Sequence, residues 1–277
     1  MPGSLVRLAS GLWLPVGLAI WWWIGSEGST SVYFPPLREI LRTLWADLTA
    51  GPLAGDVGIS LWNLFLGLAI AVIAGIGLGL LIGMNDRLRV ASGPALSFLR
   101  AVPPAAIVPI VIAAMGVGAM PKIVIIAFGC IWPVLLNTID GVRGLRPAIR
   151  DTVRAFRIPR RLVLLRVALP AALPQIMAGC RIALSVALAL MVLSEFFAAD
   201  SGLGFYVANS SQSFAIKQAW AGTLLIGILG YLFSAAFSLL ERHLLGWYFQ
   251  TSLKETAGPG RVRFPRLAGL ARKAPRI

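Results

Sequence analysis

Arg181 and Glu195 are the only charged residues between Leu173 and Phe197, in a stretch rich in Leu, Ala and Val. Charge inside a membrane-spanning helix is costly, and where it occurs it marks a pathway, a relay or a gate. The two residues lie 14 positions apart. That is almost four helical turns, so both point to a similar side, separated by about 21 Å of rise. They cannot pair with each other, and each is expected to find a partner across a pathway or a subunit interface.

Other chemistry is scarce. His243 is the only histidine and sits beside Glu241 and Arg242, as a solvated interfacial residue would. Cys130 and Cys180 fall in or beside apolar stretches, which predicts neither a disulfide framework nor a metal site. There is no Ser/His/Asp set, no carboxylate pair and no Cys/His cluster, so no catalytic residue and no metal ligand is assigned. The run "GIGLGLLIG" (Gly75–Gly83) lacks the Lys-Ser/Thr that a phosphate loop needs. Gly67, Ala71, Gly75, Gly79 and Gly83 instead recur every four residues. That spacing builds a smooth ridge for close helix packing.

The elements that must carry these residues are membrane spans. Of 277 residues, 58% are hydrophobic and only 13% charged, about half of the roughly one quarter that a soluble domain uses to cover its surface. Uncharged runs of 19 (Arg7 to Glu27), 29 (Asp56 to Asp86), 21 (Arg100 to Lys122), 17 (Lys122 to Asp140) and 23 (Lys217 to Glu241) residues suit helices crossing about 30 Å of hydrocarbon. With Leu173–Phe197 they make six transmembrane helices in an all-α integral membrane protein. The first span is expected to be retained, because no small-residue cleavage site follows it and Trp21–Trp23 suit an interface belt.

Arginine sets the orientation. Eight arginines lie between Arg143 and Arg166, and short basic loops mark the cytoplasmic side. Both termini are then cytoplasmic, and the outer segments hold Arg38, Arg42, Lys122 and Lys217. The net charge of +14 reports topology and contact with anionic membrane lipid, not nucleic acid. Outside, "PPLREILRTLWADLTAG" reads as an amphipathic surface helix with Leu37, Ile40, Leu41, Leu44, Trp45 and Leu48 on one face. Residues 1–253 form one transmembrane domain, and 254–277 form a basic, disordered cytoplasmic tail.

The basic segment "RAFRIPRRLVLLRVALPAALP" (154–174) falls in the inner loop at about 143–170. Ile149, Val153 and Phe156 form an apolar stripe, Pro147 suits a first helical turn, and Pro159 ends that helix and starts a second. Two short helices, half apolar and half arginine, make a docking surface for a soluble partner. An ion-coupled secondary transporter is the alternative. It needs intramembrane carboxylates, of which only Glu195 is a candidate.

These residues resemble the permease subunit of binding-protein-dependent ABC importers, of the nitrate/sulfonate/taurine branch. Asp151, Thr152 and Val153 stand for the family's E-A-A, Arg157 for its glycine, and Leu169-Pro170 for its L-P. The stretches 100–118, with Pro103 and Pro104, 169–207, with Glu195, Gly202 and Gly204, and 224–247 are similar to the family's third, fifth and last spans. The resemblance implies a type I ABC importer permease fold in the inner (plasma) membrane. It also implies a second permease copy as homodimer, an extracytoplasmic solute-binding protein, and an ATP-binding subunit docked on the loop. ATP and Mg then belong to that partner, and this chain holds no cofactor.

The implied solute is a small sulfonate, taurine, nitrate or similar. A carboxylate is a poor ligand for such an anion, so Glu195 with the following "SGLG" reads as part of an outer gate, with Pro103, Pro104 and Arg181 on the pathway. Arg157 departs from the family glycine and resists positive φ. Pro159 is therefore expected to shape the turn, unless the loop meets a specially matched ATPase.

Overall fold

In the computed structural model the described residues are 13, 16–145, 147–197 and 199–246. They form α1 (Val16–Ser26), α2 (Leu37–Thr49), α3 (Leu53–Gly83), α4 (Asp86–Ala101), α5 (Pro104–Met115), α6 (Ala119–Arg143), α7 (Pro147–Ala155), α8 (Arg160–Val163), a π-helical turn (Leu164–Ala168), α9 (Leu169–Phe197), α10 (Leu203–Gln212) and α11 (Ile216–Leu244). No strand occurs among the described residues. Two compact units divide the chain, Met1–Phe237 and Ser238–Ile277. Within the second, Ser238–Leu244 completes α11.

Among the described residues four segments are long and apolar enough to cross a membrane: Leu53–Gly83, Ala119–Arg143, Arg160–Phe197 and Ile216–Leu244. The span expected between Arg100 and Lys122 needs correction. Its helix, α5, has 12 residues and reaches about 18 Å, too short for the bilayer. α4 and α5 instead meet at 83°, as in a broken span or a re-entrant loop. Val102 is extended (φ −70°, ψ 117°) because the ring of Pro103 excludes the helical conformation before it. Pro104 then opens α5 in its first turn, where its missing N–H costs nothing. The first expected span reaches back into residues outside those described, and so does the tail at 254–277.

The small-residue ridge on α3 packs on α6. A Cβ at Gly67 would fall 2.8 Å from Ile126 Cβ, at Gly75 2.9 Å from Val134 Cβ, at Gly79 2.5 Å from Thr138 Cβ, and at Gly83 3.0 Å from Val142 Cβ. Only hydrogen fits at such separations. Residue numbers rise together on both helices, so α3 and α6 run parallel. Two parallel spans need a return crossing between them, and the α4–α5 pair supplies it. Against α9 the order reverses: Gly129 meets Leu190, Gly179 meets the Pro133 carbonyl, and Gly141 meets Ala172. α6 and α9 are therefore antiparallel.

The core gathers between these three helices, around Leu64, Ala71, Ile126, Val134, Ala183 and Met191. In α11 only Ala221, Gly222 and Leu225 are buried, as for a helix that offers its surface to lipid. The stripe on α2 divides: Leu37, Ile40 and Leu44 are buried, while Leu41 and Trp45 are exposed. The starts of α3 and α6 and the close of α9 define one end of the bundle, which also carries α10. The close of α6, α7, α8 and the start of α9 define the other.

Candidate coupling surface and polar gate

At the α10 end a buried polar cluster holds a helix start. The first backbone N–H groups of a helix have no partner within it, and here three are met by side chains from other helices. The Gly202 N–H donates to Asp56 Oδ1 at 2.7 Å, the Leu203 N–H to Ser60 Oγ at 2.8 Å, and the Gly204 N–H to Glu195 Oε2 at 2.8 Å. The Ser60 hydroxyl donates in turn to Glu195, at 2.8 and 2.9 Å from its two oxygens. Lys122 Nζ donates to the Ser201 carbonyl at 3.1 Å. Carboxylates at this position also meet the positive end of the helix dipole.

Glu195 is only 1% exposed. Its carboxylate lies where a Cβ on Gly202 would sit, 2.5 Å away, and Gly202 has φ +114°. Both facts require glycine there. Tyr206 donates its hydroxyl to Asp47 on α2; burial first, then Asp47 and Asp56, pushes its phenol above the usual range. One turn beyond Ser60, buried Asn63 leaves both amide atoms without a partner. Continuing the α3–α6 ladder by one step puts it level with Lys122.

At the opposite end, α7 closes in a Schellman turn. The Ile158 N–H donates to the Val153 carbonyl at 3.2 Å and the Arg157 N–H to the Arg154 carbonyl at 3.1 Å. Arg157 occupies the left-handed position, with φ +49°. The expectation that Pro159 shapes the turn is thus corrected: the arginine takes the glycine conformation itself. Pro159 (φ −57°, ψ 137°) precedes α8. Leu169 and Pro170 follow the π-helical turn and open α9.

The apolar stripe also divides. Ile149 and Val153 are half-buried and line a cavity of about 420 Å³ with Gly83, Val142, Val163 and Ala168. Phe156 points away and is 78% exposed. Asp151 lies 4.0 Å from Arg154, both exposed.

Glu195, Gly202 and Gly204 therefore meet in one cluster, and Glu195 finds its partners inside its own chain rather than across an interface. Arg181 is exposed on α9 and far from that cluster. Pro103 and Pro104 form the α4–α5 break, with Pro104 near Gly129. Asp56 had served only to bound an uncharged run, Lys122 to bound two and to count among the outer basic residues, and Ser60 had gone unremarked. The signal was available in the four-residue spacing of Asp56 and Ser60, which puts both on one face at the start of α3.

Residues 57–246 match the family described as binding-protein-dependent transport system inner membrane component. The chain belongs to this family. The permease is 33% identical over 86% of its length to a Bacillus subtilis (strain 168) protein named as the aliphatic sulfonates transport permease SsuC, covering 87% of it. It is 31% identical over 85% of its length to the taurine transport system permease protein TauC of Escherichia coli (strain K12), covering 88% of it. It is 32% identical over 82% to the bicarbonate transport system permease protein CmpB of Synechococcus elongatus, covering 86% of that protein.

Among solved structures, inward-facing MetNI methionine ABC transporter matches with TM-score 0.61 and 18% identity, over 69% of this permease and 95% of that chain. The fold is that of a type I ABC importer permease. It is a multi-pass inner-membrane transport subunit, and these relatives do not favour ion-coupled transport.

Proposed function

We propose that this permease imports a small oxoanion-bearing solute, a sulfonate, taurine, nitrate or similar, as a homodimer in anionic lipid. Its relatives' names span sulfonates, taurine and bicarbonate, which share a compact anionic oxygen group. An ATP-binding subunit, which carries the ATP and Mg, docks on Phe156, Arg157 and the basic turn. The solute-binding protein delivers at the α10 end. Both termini, the 143–170 loop and the 254–277 tail lie in the cytoplasm, the tail against lipid, with residues 1–253 as one permease domain.

One observation carries this reading: an exposed aromatic lever and a latched helix start sit at opposite ends of the same helical run, Arg160–Phe197. Closure of the ATPase dimer draws the loops together, and the run transmits that movement to Glu195. Release of the Glu195 and Ser60 contacts frees α10, and the outer gate opens. Hydrolysis resets it.

The test is uptake into proteoliposomes holding permease, ATP-binding subunit and binding protein, with taurine as probe. Wild-type vesicles should accumulate it only with ATP and the binding protein. Glu195→Gln should assemble yet couple solute to hydrolysis poorly, because the amide loses the charge at the helix start and puts an NH2 donor in place of one of the two acceptor oxygens. Unchanged uptake by that variant rejects the gate; uptake driven by an ion gradient without ATP rejects the importer.

A further inference from the structure

Around the start of α10, Asp56, Ser60, Lys122 and Glu195 each hold a hydrogen bond. Asn63 does not. It is 1% exposed, and neither its amide nitrogen nor its amide oxygen has a partner. Buried side-chain amides are nearly always bonded, and one that is not destabilises the state in which it is found. Asn63 follows Ser60 by three residues on α3, so the two share a helix face. The rungs Gly67–Ile126, Gly75–Val134 and Gly79–Thr138 keep one register between α3 and α6. The next rung toward α10 pairs Asn63 with Lys122.

Lys122 faces the converse problem. It too is buried, and its ammonium donates to the Ser201 carbonyl. Ser201 lies in the segment that leads into α10, directly before the Gly202 N–H that Asp56 accepts. Movement of the helix start therefore carries that carbonyl away. The ammonium is then charged, buried and unmet, an arrangement strongly disfavoured unless another acceptor is at hand. Lysine has three donors on a flexible stem, and a free amide oxygen stands level with it. Asn63 lacks a partner while α10 is latched, and Lys122 loses its partner when α10 is released.

We infer that Asn63 is a positioning residue of the gate, whose amide oxygen takes over the Lys122 ammonium when Ser201 moves away. The orphaned amide raises the closed state and the new bond lowers the open one, so both effects shift the balance toward opening. This rests on the reading that α10 is the outer gate.

The test is hydrogen exchange at the Gly202, Leu203 and Gly204 amides, which the latch protects while it is closed. The permease is held in nanodiscs with its ATP-binding subunit and solute-binding protein, at rest and after trapping with ATP and vanadate. In the wild type, trapping should speed exchange at these amides about tenfold or more. Asn63→Leu keeps the branched shape without an acceptor; it should leave resting exchange within about twofold and cut the rise on trapping about tenfold. Asn63→Asp should speed resting exchange several-fold before nucleotide is added, because a carboxylate draws the ammonium from Ser201 more strongly than an amide does. A side chain that only fills space would change resting exchange in both variants alike. No rise in the wild type overturns the gate reading itself. A rise in Asn63→Leu equal to that of the wild type gives the ammonium another acceptor, such as the released Glu195, and overturns the handover alone. So does Asn63→Asp with resting exchange unchanged or slower, and that variant decides if Asn63→Leu fails to assemble.

Discussion

Arg157 holds a left-handed conformation (φ +49°) that an L-residue with a Cβ adopts at a cost of about 1–2 kcal/mol. Two backbone hydrogen bonds of the Schellman turn hold it there, so the strain is stored where α7 meets α8. Arg157→Gly should relieve it. The Arg157 and Ile158 amides should then exchange hydrogen several-fold more slowly, by about 1 kcal/mol of local stability. Exchange that is unchanged or faster would show that the turn is unstrained. The residue type here misled sequence reasoning, because a turn closed by backbone bonds overrides side-chain preference. Glu195 was legible as a costly charge, but its partners were not. Ser60 is 135 positions away, and nothing local in the sequence announces that pairing. The glycines of "SGLG" were visible as a turn; that Gly202 is required by the Glu195 carboxylate 2.5 Å away follows only from packing.

At the scale of elements, regular spacing was readable and interruptions were less so. The four-residue recurrence from Gly67 to Gly83 predicted a packing ridge, and α6 lies along it. Counting uncharged residues failed between Arg100 and Lys122, because two adjacent prolines bend the chain inside an apolar run. The α7 stripe was half right. Ile149 and Val153 share the helix face that turns toward the α3–α6 end. Phe156 follows the last residue of α7, so it leaves that face and projects outward. This separates two roles. Phe156→Asp leaves the permease's own packing untouched and should be inserted normally. Its affinity for the ATP-binding subunit should fall by 2 kcal/mol or more, about thirtyfold, because a charge would replace the exposed aromatic side chain that the proposed docking buries. Co-purification measures this. An intact complex with solute-stimulated hydrolysis unchanged would remove Phe156 from the interface.

For the whole molecule the decisive quantity is which end of the bundle faces the cytoplasm. The helix order puts α10 and the Glu195 cluster at one end and the 143–166 segment at the other. At the first end, two of the four basic residues counted there are engaged. Lys122 is 3% exposed and bonded to Ser201, and Lys217 pairs with Glu39 at 2.6 Å. At the other end Arg154 likewise lies 4.0 Å from Asp151, so it is the number of basic residues that separates the two ends. The eight arginines of the other end then dominate, and basic loops are retained on the cytoplasmic side. Thr30 and Ala148 are exposed and stand at opposite ends, so each reports one side. With Cys130 and Cys180 replaced by Ala, Thr30→Cys should react with a membrane-impermeant maleimide added to intact cells. Ala148→Cys should react only after the membrane is opened. Both cysteines lie in loops or short helices outside the core, so neither should disturb insertion. Labelling of Ala148→Cys in intact cells, with Thr30→Cys protected, would invert the protein. The basic loop would then face the binding protein, and no ATP-binding subunit could reach Phe156.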